Sequence, residues 1–276
     1  MLCWAVLLLL RNMKTVSERQ AQWISVLACA CWLLHPYMVS TTLYVVQRMA
    51  QLATLFCLSG IVMYLYGRLQ LTARPKFAYL LMTVAVGLMT LLAAFSKENG
   101  ALLPLLILVI EFSLSKNDEK PLWQWRAAFL WLPSMAIFML LVRYIDFSEN
   151  PWPSRGFNQV ERLFTEARIL CEYLVHIFVP RVEGNGLYQD GYEISHGLFD
   201  PLSTFFSVLF IIFLLFFAFL LRIRAPLIFL AVLFFFAAHL MESTVVGLEL
   251  YFEHRNHLAS IFLFLPLAYY CIFFAG

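Results

Sequence analysis

The sequence has little charge and lacks the common nucleotide and metal motifs. Only 13% of its 276 residues are Asp, Glu, Lys or Arg, about half the proportion of a soluble domain. Neither GxxxxGK[ST] nor GxGxxG occurs, which argues against a soluble nucleotide-binding domain, and the net charge of +2 gives no reason to expect nucleic acid. The six cysteines form no CxxC pair, so we predict unpaired, mostly buried thiols.

Apolar residues dominate instead. They make up 62% of the chain, with 27 Phe and a mean hydropathy of +0.80. We predict an all-α, polytopic transmembrane helix bundle, because lipid cannot hydrogen-bond an open backbone. The whole chain, 1–276, forms a single membrane domain with a long extracytoplasmic loop at about 146–200. About nine candidate spans follow from the length needed to cross a bilayer: 1–10, 21–37, 49–67, 77–95, 101–115, 127–145, 203–221, 225–241 and 258–275.

Basic residues give the predicted spans a direction. Eleven Lys and Arg residues fall in four short connections: Arg11, Lys14, Arg19; Arg68, Arg74, Lys76; Lys116, Lys120, Arg126; and Arg222, Arg224. The short connections on the opposite side hold one each, at Arg48, Lys97 and Arg255. The positive-inside rule therefore places the first set in the cytoplasm and the polar clusters outside.

The long loop contains a helical pattern of its own. Apolar residues recur at close to helical spacing from Asn158 to Val179, and charged residues fill the other positions. We expect an amphipathic helix that lies on the membrane surface or caps the spans.

Charged residues on the predicted outer side are the candidate site. If the segment from Glu242 is helical, Glu242, Glu249 and Glu253 form one carboxylate stripe, and such charges near a membrane tend to mark function. Arg48, Lys97 and Arg255 fit phosphate recognition. Pairing between these carboxylates and cations inside the protein is the alternative for both groups.

The histidines give a weaker signal. His254 and His257 have a spacing compatible with metal binding, but no carboxylate–histidine framework supports it, so a solvated interfacial pair is favoured. His239, in an apolar run, is expected to be a hydrogen-bonded packing residue.

Five blocks of sequence carry a family resemblance over most of residues 27–260. The two most specific are SKENGALLP and YFEHRNHLAS; the others are LLHPYMVSTTLYVVQRMAQLATLF, ERLFTEARILCEYL and GLYQDGYEISHGLFDP. Together they resemble the bacterial GT-C membrane glycosyltransferases related to the TMTC O-mannosyltransferases, a group that includes type IV pilin glycosyltransferases.

The resemblance implies a function and a set of site residues. A sugar passes from a polyprenyl-phosphate donor to an exported protein, such as pilin, at the extracytoplasmic face of the bacterial inner membrane. Arg48, Lys97 and Arg255 hold the donor phosphate, and Glu242 and Glu253 are the candidate catalytic carboxylates. A divalent metal, Mg²⁺ or Mn²⁺, is compatible but not required. The further residues expected to line the site are His35, Gln47, Ser96, Glu98, Asp190 and His254.

One departure from the family pattern affects the expected activity. The family has a catalytic acidic residue in its first outer loop, and this chain is expected to be a fragment that starts after that loop. Three alternatives therefore stay open: a polymerase or ligase of lipid-linked glycans, a lipid-linked sugar transporter, and an inactive fragment.

Overall fold

The computed structural model describes residues 1–114, 120–146, 148, 151–152, 155–180 and 191–275. Within these ranges no strand occurs and the regular structure is helical, which confirms the predicted all-α class. The α-helices are α1 Leu2–Met13, α2 Glu18–Leu33, α3 Val39–Leu43, α4 Arg48–Leu69, α5 Pro75–Ser96, α6 Leu103–Ser113, α7 Trp123–Arg126, α8 Leu132–Arg143, α9 Gln159–Phe178, α10 Leu202–Leu221, α11 Pro226–Ala238, α12 Asn256–Ala259 and α13 Leu265–Ala275.

Several helices are long and apolar enough to cross a membrane. In the described part of the chain there are four, at Val45–Leu69, Pro75–Ser96, Trp123–Arg143 and Leu202–Leu221, or five if the bent pair α2 and Pro36–Leu43 is one span. Helices occupy all nine segments predicted from the sequence. Those in the remaining segments are shorter, however, so length and composition support multiple crossings without fixing their number.

The bend after α2 follows from a proline. Pro36 lacks an N–H and disfavours a helical conformation at the residue before it. His35 is accordingly extended, and its Nδ1 accepts a hydrogen bond from the Tyr37 amide at 3.2 Å. The chain then continues into α3 at an angle of 61° to α2.

Buried polar contacts join the helix ends on one side of the assembly. Arg68 Nε lies 2.6 Å from Glu111 Oε1, with both side chains almost fully buried. Asn12 Nδ2 donates to the Leu65 carbonyl at 3.1 Å. The sequence placed Arg68 in a loop, and this was wrong. It lies in the last turn of α4 and is buried there because Glu111 of α6 supplies its counter-charge.

Helix α9 confirms the helix predicted in the long loop. It begins with a reciprocal capping box in which Asn158 accepts from the Glu161 amide at 2.9 Å and Glu161 accepts from the Asn158 amide. The expected orientation needs correction. Arg162 and Glu166 of the charged face are fully buried, whereas Val160 is 41% exposed. Arg162 and Glu166 therefore point into the protein, together with Ala167, Leu170 and Ile177 of the apolar set, while Arg168 and Glu172 are only partly buried.

Candidate functional site

A tight turn after α5 aims two polar side chains inward. Helix α5 ends at Ser96, Lys97 is fully extended, and a 3₁₀ turn runs from Glu98 to Leu102. The turn packs so closely on α5 that a Cβ on Gly100 would lie 2.3 Å from the Ala93 carbonyl carbon. Only glycine fits there. As a result Lys97 is buried while the neighbouring Glu98 is exposed.

Lys97 and Asn99 both bind Glu242. Lys97 Nζ lies 2.5 Å from Glu242 Oε1, and Asn99 Nδ2 donates to Oε2 at 3.1 Å. Burial alone would raise the pKa of the Glu242 carboxyl, but the charges of Lys97 and Arg255 lower it below its usual value. Glu242 is therefore an ionised, buried carboxylate at neutral pH.

A second set of buried charges lies beside this pair. Glu166 Oε1 is 2.9 Å from Arg162 Nη2 and 3.3 Å from Arg255 Nη1. Arg162 also donates to the backbone carbonyl of Glu242 at 2.7 Å. We call the combined group the Glu242 cluster; its members are Lys97, Asn99, Arg162, Glu166, Glu242 and Arg255.

Most of the donors of Arg255 are already engaged within the protein. Its Nη1 donates to the Leu250 carbonyl at 2.8 Å and its Nη2 to the Glu249 carbonyl at 2.5 Å, in addition to the Glu166 contact. Arg162 likewise donates to the Thr244 carbonyl at 3.0 Å. The two arginines thus hold the irregular segment 242–252 against α9 by its backbone carbonyls.

The predicted carboxylate stripe is wrong, because the segment after α11 is not helical. Each carboxylate has its own surroundings. Glu249 is half-exposed and binds Arg155 at 2.8 Å. Glu253 is buried and accepts a hydrogen bond from Ser40 Oγ at 2.6 Å. Among the three, only Glu242 belongs to the cluster.

The predicted solvated pair of histidines is also wrong. His257 is buried, its Nδ1 lies 3.0 Å from Thr54 Oγ1, and its ring packs against Trp32. Burial, together with the charge of Lys97, lowers the pKa of His254 to about 3. His257 is therefore part of the protein interior, and His254 is partly buried at the same end.

The other predicted site residues are scattered. Arg48 is exposed at the start of α4 and makes no ion pair with any described residue. Gln47 is buried beside it. His35 is buried with its ring 5.5 Å from that of Phe264. Ser96 Oγ caps α5 by donating to the Leu92 carbonyl. Asp190 lies outside the described residues.

The sequence reasoning missed the contribution of α9. Arg162 and Glu166 are four apart on one helix, a spacing that already predicts an ion pair. The spacing could not show that Glu166 also binds Arg255, which lies 89 residues further along the chain. Ser40, the partner of Glu253, was missed as well, because an isolated serine carries no signal in the sequence.

An apolar groove of about 490 Å³ opens between α9, α10, α11 and α13, with walls formed almost entirely by apolar atoms. Phe210 and Leu214 of α10 form one side, and Phe235 of α11 forms part of the other. Helix α10 is one of the candidate spans, with most of its surface exposed. The groove therefore faces the region that lipid chains would occupy.

An aromatic series connects the groove to the cluster. The Phe235 ring lies 4.5 Å from His239, and His239 stacks 5.8 Å from Tyr173. Tyr173 Oη in turn donates to the Phe252 carbonyl at 3.0 Å. The expectation for His239 is confirmed, since its Nδ1 lies 2.9 Å from the Phe235 carbonyl oxygen. Two rings, those of His239 and Tyr173, thus separate Phe235 in the groove from the segment that carries Arg255.

No family model matches the chain, and no curated protein or solved structure is significantly similar to it. The chemistry of the site must therefore be argued from its own residues. Over the part of the chain that the structure describes, no three His, Cys, Asp or Glu side chains come together in a way that could hold a metal ion. The site thus consists of a buried lysine–carboxylate pair and, at the same end of α11, an apolar groove that the pair does not line.

We expect acid to destabilise the fold through His254. Its pKa is about 3 in the folded protein and about 6.5 when unfolded. The unfolded chain binds more protons below about pH 6.5, so stability is lost as the pH falls from there towards 3. The melting temperature of detergent-solubilised protein should decrease between pH 7.5 and 5, and His254→Gln should reduce that decrease.

His196→Gln is the control for this prediction. His196 is exposed, and its hydrogen bond to Glu161 raises its pKa. Its contribution to stability is present at low pH and is lost as the pH rises, so its removal should not reduce the acid sensitivity. Equal pH profiles for His254→Gln and the unmodified protein would contradict the role of His254.

Proposed function

We propose that this protein is a GT-C-type membrane glycosyltransferase that moves a sugar from a polyprenyl-phosphate donor to an exported protein. The proposal combines the resemblance carried by the SKENGALLP and YFEHRNHLAS blocks with the arrangement of the Glu242 cluster. A polyprenyl phosphate has a charged head and a long apolar chain, so its binding site needs a cation close to an apolar groove. Lys97 and the groove between α9 and α11 would provide them.

The observation that carries the proposal is the buried Lys97–Glu242 pair. Burying two charges costs more than an exposed pair gains, so such a pair is weak evidence for a purely stabilising role. Here the pair lies at one end of the helices, and the apolar groove reaches the same end of α11, at Phe235, although neither residue of the pair lines it. The phosphate of a polyprenyl-phosphate donor would replace the Glu242 carboxylate as the partner of Lys97. The carboxylate would then be available as a base.

The proposed reaction is an inverting transfer. An acceptor hydroxyl attacks the anomeric carbon, the bond between that carbon and the phosphate oxygen breaks, and the phosphate leaves with the bonding electrons. Glu242 accepts the hydroxyl proton. Its lowered pKa keeps the carboxylate ionised, as a general base must be. Lys97 stabilises the negative charge that develops on the leaving phosphate.

The remaining predicted residues take different parts in this proposal. Arg48 is exposed and can reach a donor phosphate from outside the cluster. Arg255 acts as a positioning residue, because its guanidinium is engaged by Glu166 and two carbonyls. Glu253, bound by Ser40, is the second candidate base. None of these roles requires a metal ion.

The proposed location is the extracytoplasmic face of a bacterial inner membrane. The cations in the short loops divide eleven to three between the two sides. The structure joins the ends of α1, α4, α6 and α10 on the cation-rich side through contacts of Asn12, Arg68 and Arg222. The Glu242 cluster lies at the opposite ends of α5 and α11.

The test is transfer of a labelled sugar in membranes that contain the full chain. Membranes loaded with a radiolabelled polyprenyl-phosphate sugar and an exported acceptor such as pilin should transfer label to protein. Glu18→Gln is the control, because Glu18 is exposed at the start of α2, on the side opposite the Glu242 cluster, and should leave transfer unchanged. Label that appears only on another lipid-linked saccharide would favour a polymerase or ligase. Label that stays on the donor would refute the proposal.

A further inference from the structure

A second cavity lies on the cation-rich side of the assembly. Its volume is about 310 Å³, and it is bounded by the ends of α1 and α6, by the α10–α11 connection and by α13. Lys14, Arg222 and Arg224 line it, and none of the described residues that line it is acidic. The described part of this wall therefore carries a net positive charge, mainly from Arg222 and Arg224, which suits an anion.

The cavity is well separated from the Glu242 cluster. Helix α11 begins at Pro226, in the cavity wall, and ends at Ala238, just before Glu242. Its 13 residues span about 20 Å. The two sites therefore lie at opposite ends of the same helix, and a ligand in one does not reach the other.

Further groups in the wall favour a phosphate-bearing ligand. Thr15 offers a hydroxyl, whereas the Ser113 hydroxyl in the same wall already donates to the Ile110 carbonyl at 2.7 Å. The N-terminus of α11 also opens into the cavity, and its cap residue, Ala225, provides no side-chain hydrogen bond. Pro226 at the first position has no N–H, and the Ile228 amide donates to the Ala225 carbonyl at 3.1 Å, so α11 contributes mainly the partial positive charge of its helix dipole.

The two arginines in the wall are held differently. Arg222 is fixed by a hydrogen bond from Nε to the Phe112 carbonyl at 3.4 Å and by the rings of Phe112 and Phe229. Arg224 is exposed and makes no ion pair with any described residue. Arg222 thus provides a cation held in place by its contacts, and Arg224 provides an exposed one.

The rest of the wall is aromatic and apolar. Tyr269 and Tyr270 of α13 line the cavity together with Leu227. Tyrosines concentrate at the level of lipid head groups, and basic pockets between helices on the cytoplasmic side accept anionic lipids. Helix α10, a candidate span, ends next to this wall, at Leu221.

We propose that this cavity binds the phosphate of an anionic phospholipid head group. The same phosphate chemistry is available in free phosphate, so the source must be decided by experiment. The inference does not depend on the glycosyltransferase proposal, because it concerns the other end of the molecule.

The experiment measures lipid binding to the full chain in detergent by native mass spectrometry. Phosphatidylglycerol should remain bound when phosphatidylcholine at the same concentration does not. Arg224→Glu should weaken phosphatidylglycerol binding about tenfold or more, since a charge-assisted contact to phosphate is replaced by repulsion. Arg224→Gln should weaken it less.

Arg74→Glu is the matched control, because Arg74 is exposed in the α4–α5 connection and does not line the cavity. It should leave binding unchanged. Equal retention of the two lipids, or equal loss with Arg74→Glu and Arg224→Glu, would overturn the proposal. Displacement of the lipid by millimolar inorganic phosphate would overturn the assignment to a lipid in favour of free phosphate.

Discussion

Replacing Lys97 with methionine should reduce sugar transfer by about a thousandfold, the effect typical of removing a group that stabilises transition-state charge. Methionine keeps the apolar stem of the side chain but supplies no cation for the leaving phosphate. The measurement is the initial rate of label transfer from the polyprenyl-phosphate donor at saturating acceptor.

The loss of Lys97 also removes the ion-pair partner of the buried Glu242 carboxylate and leaves it the hydrogen bond from Asn99, so folding must be controlled separately. In Lys97→Met combined with Glu242→Gln, neither member of the pair carries charge. The double variant should regain the thermal stability lost in Lys97→Met but remain inactive. Because Glu242 is the proposed base, this double variant controls folding only. A folded Lys97→Met variant that transferred sugar at the unmodified rate would show that Lys97 is a structural residue and not part of the chemistry.

Replacing Glu166 with glutamine should lower stability by about 3–5 kcal/mol, since removing one partner of a buried ion pair leaves an uncompensated charge. Here two charges are left, because Arg162 and Arg255 share this carboxylate. The expected fall in melting temperature is about 10 °C, measured by tryptophan fluorescence in detergent.

Glu172→Gln is the matched control on the same helix. Glu172 is half-exposed and accepts a hydrogen bond from Tyr192 Oη at 3.0 Å. Its neutralisation should change the melting temperature by only a degree or two. If both variants melted at the same temperature, the Glu166 carboxylate would not be compensating the two arginines.

The sequence determined the helical elements because their signals are local. Helix α9 was predicted from Asn158 to Val179 and observed at Gln159–Phe178, since its apolar spacing and its capping box are both encoded within one stretch. Helix α5 was predicted at 77–95 and observed at Pro75–Ser96. The all-α class follows from composition, because a chain this apolar must satisfy its backbone internally.

Only the tertiary structure decided which charges meet. Helical periodicity predicted that Glu242, Glu249 and Glu253 lie on one face. The segment is instead irregular, because Arg162 and Arg255 bind backbone carbonyls of residues 242–252, which a helix would have used in its own hydrogen bonds. The partner of Arg255 comes from α9, which is distant in sequence, and that of Arg68 comes from α6. Ion pairs between distant helices depend on packing, and packing leaves no local pattern in the sequence.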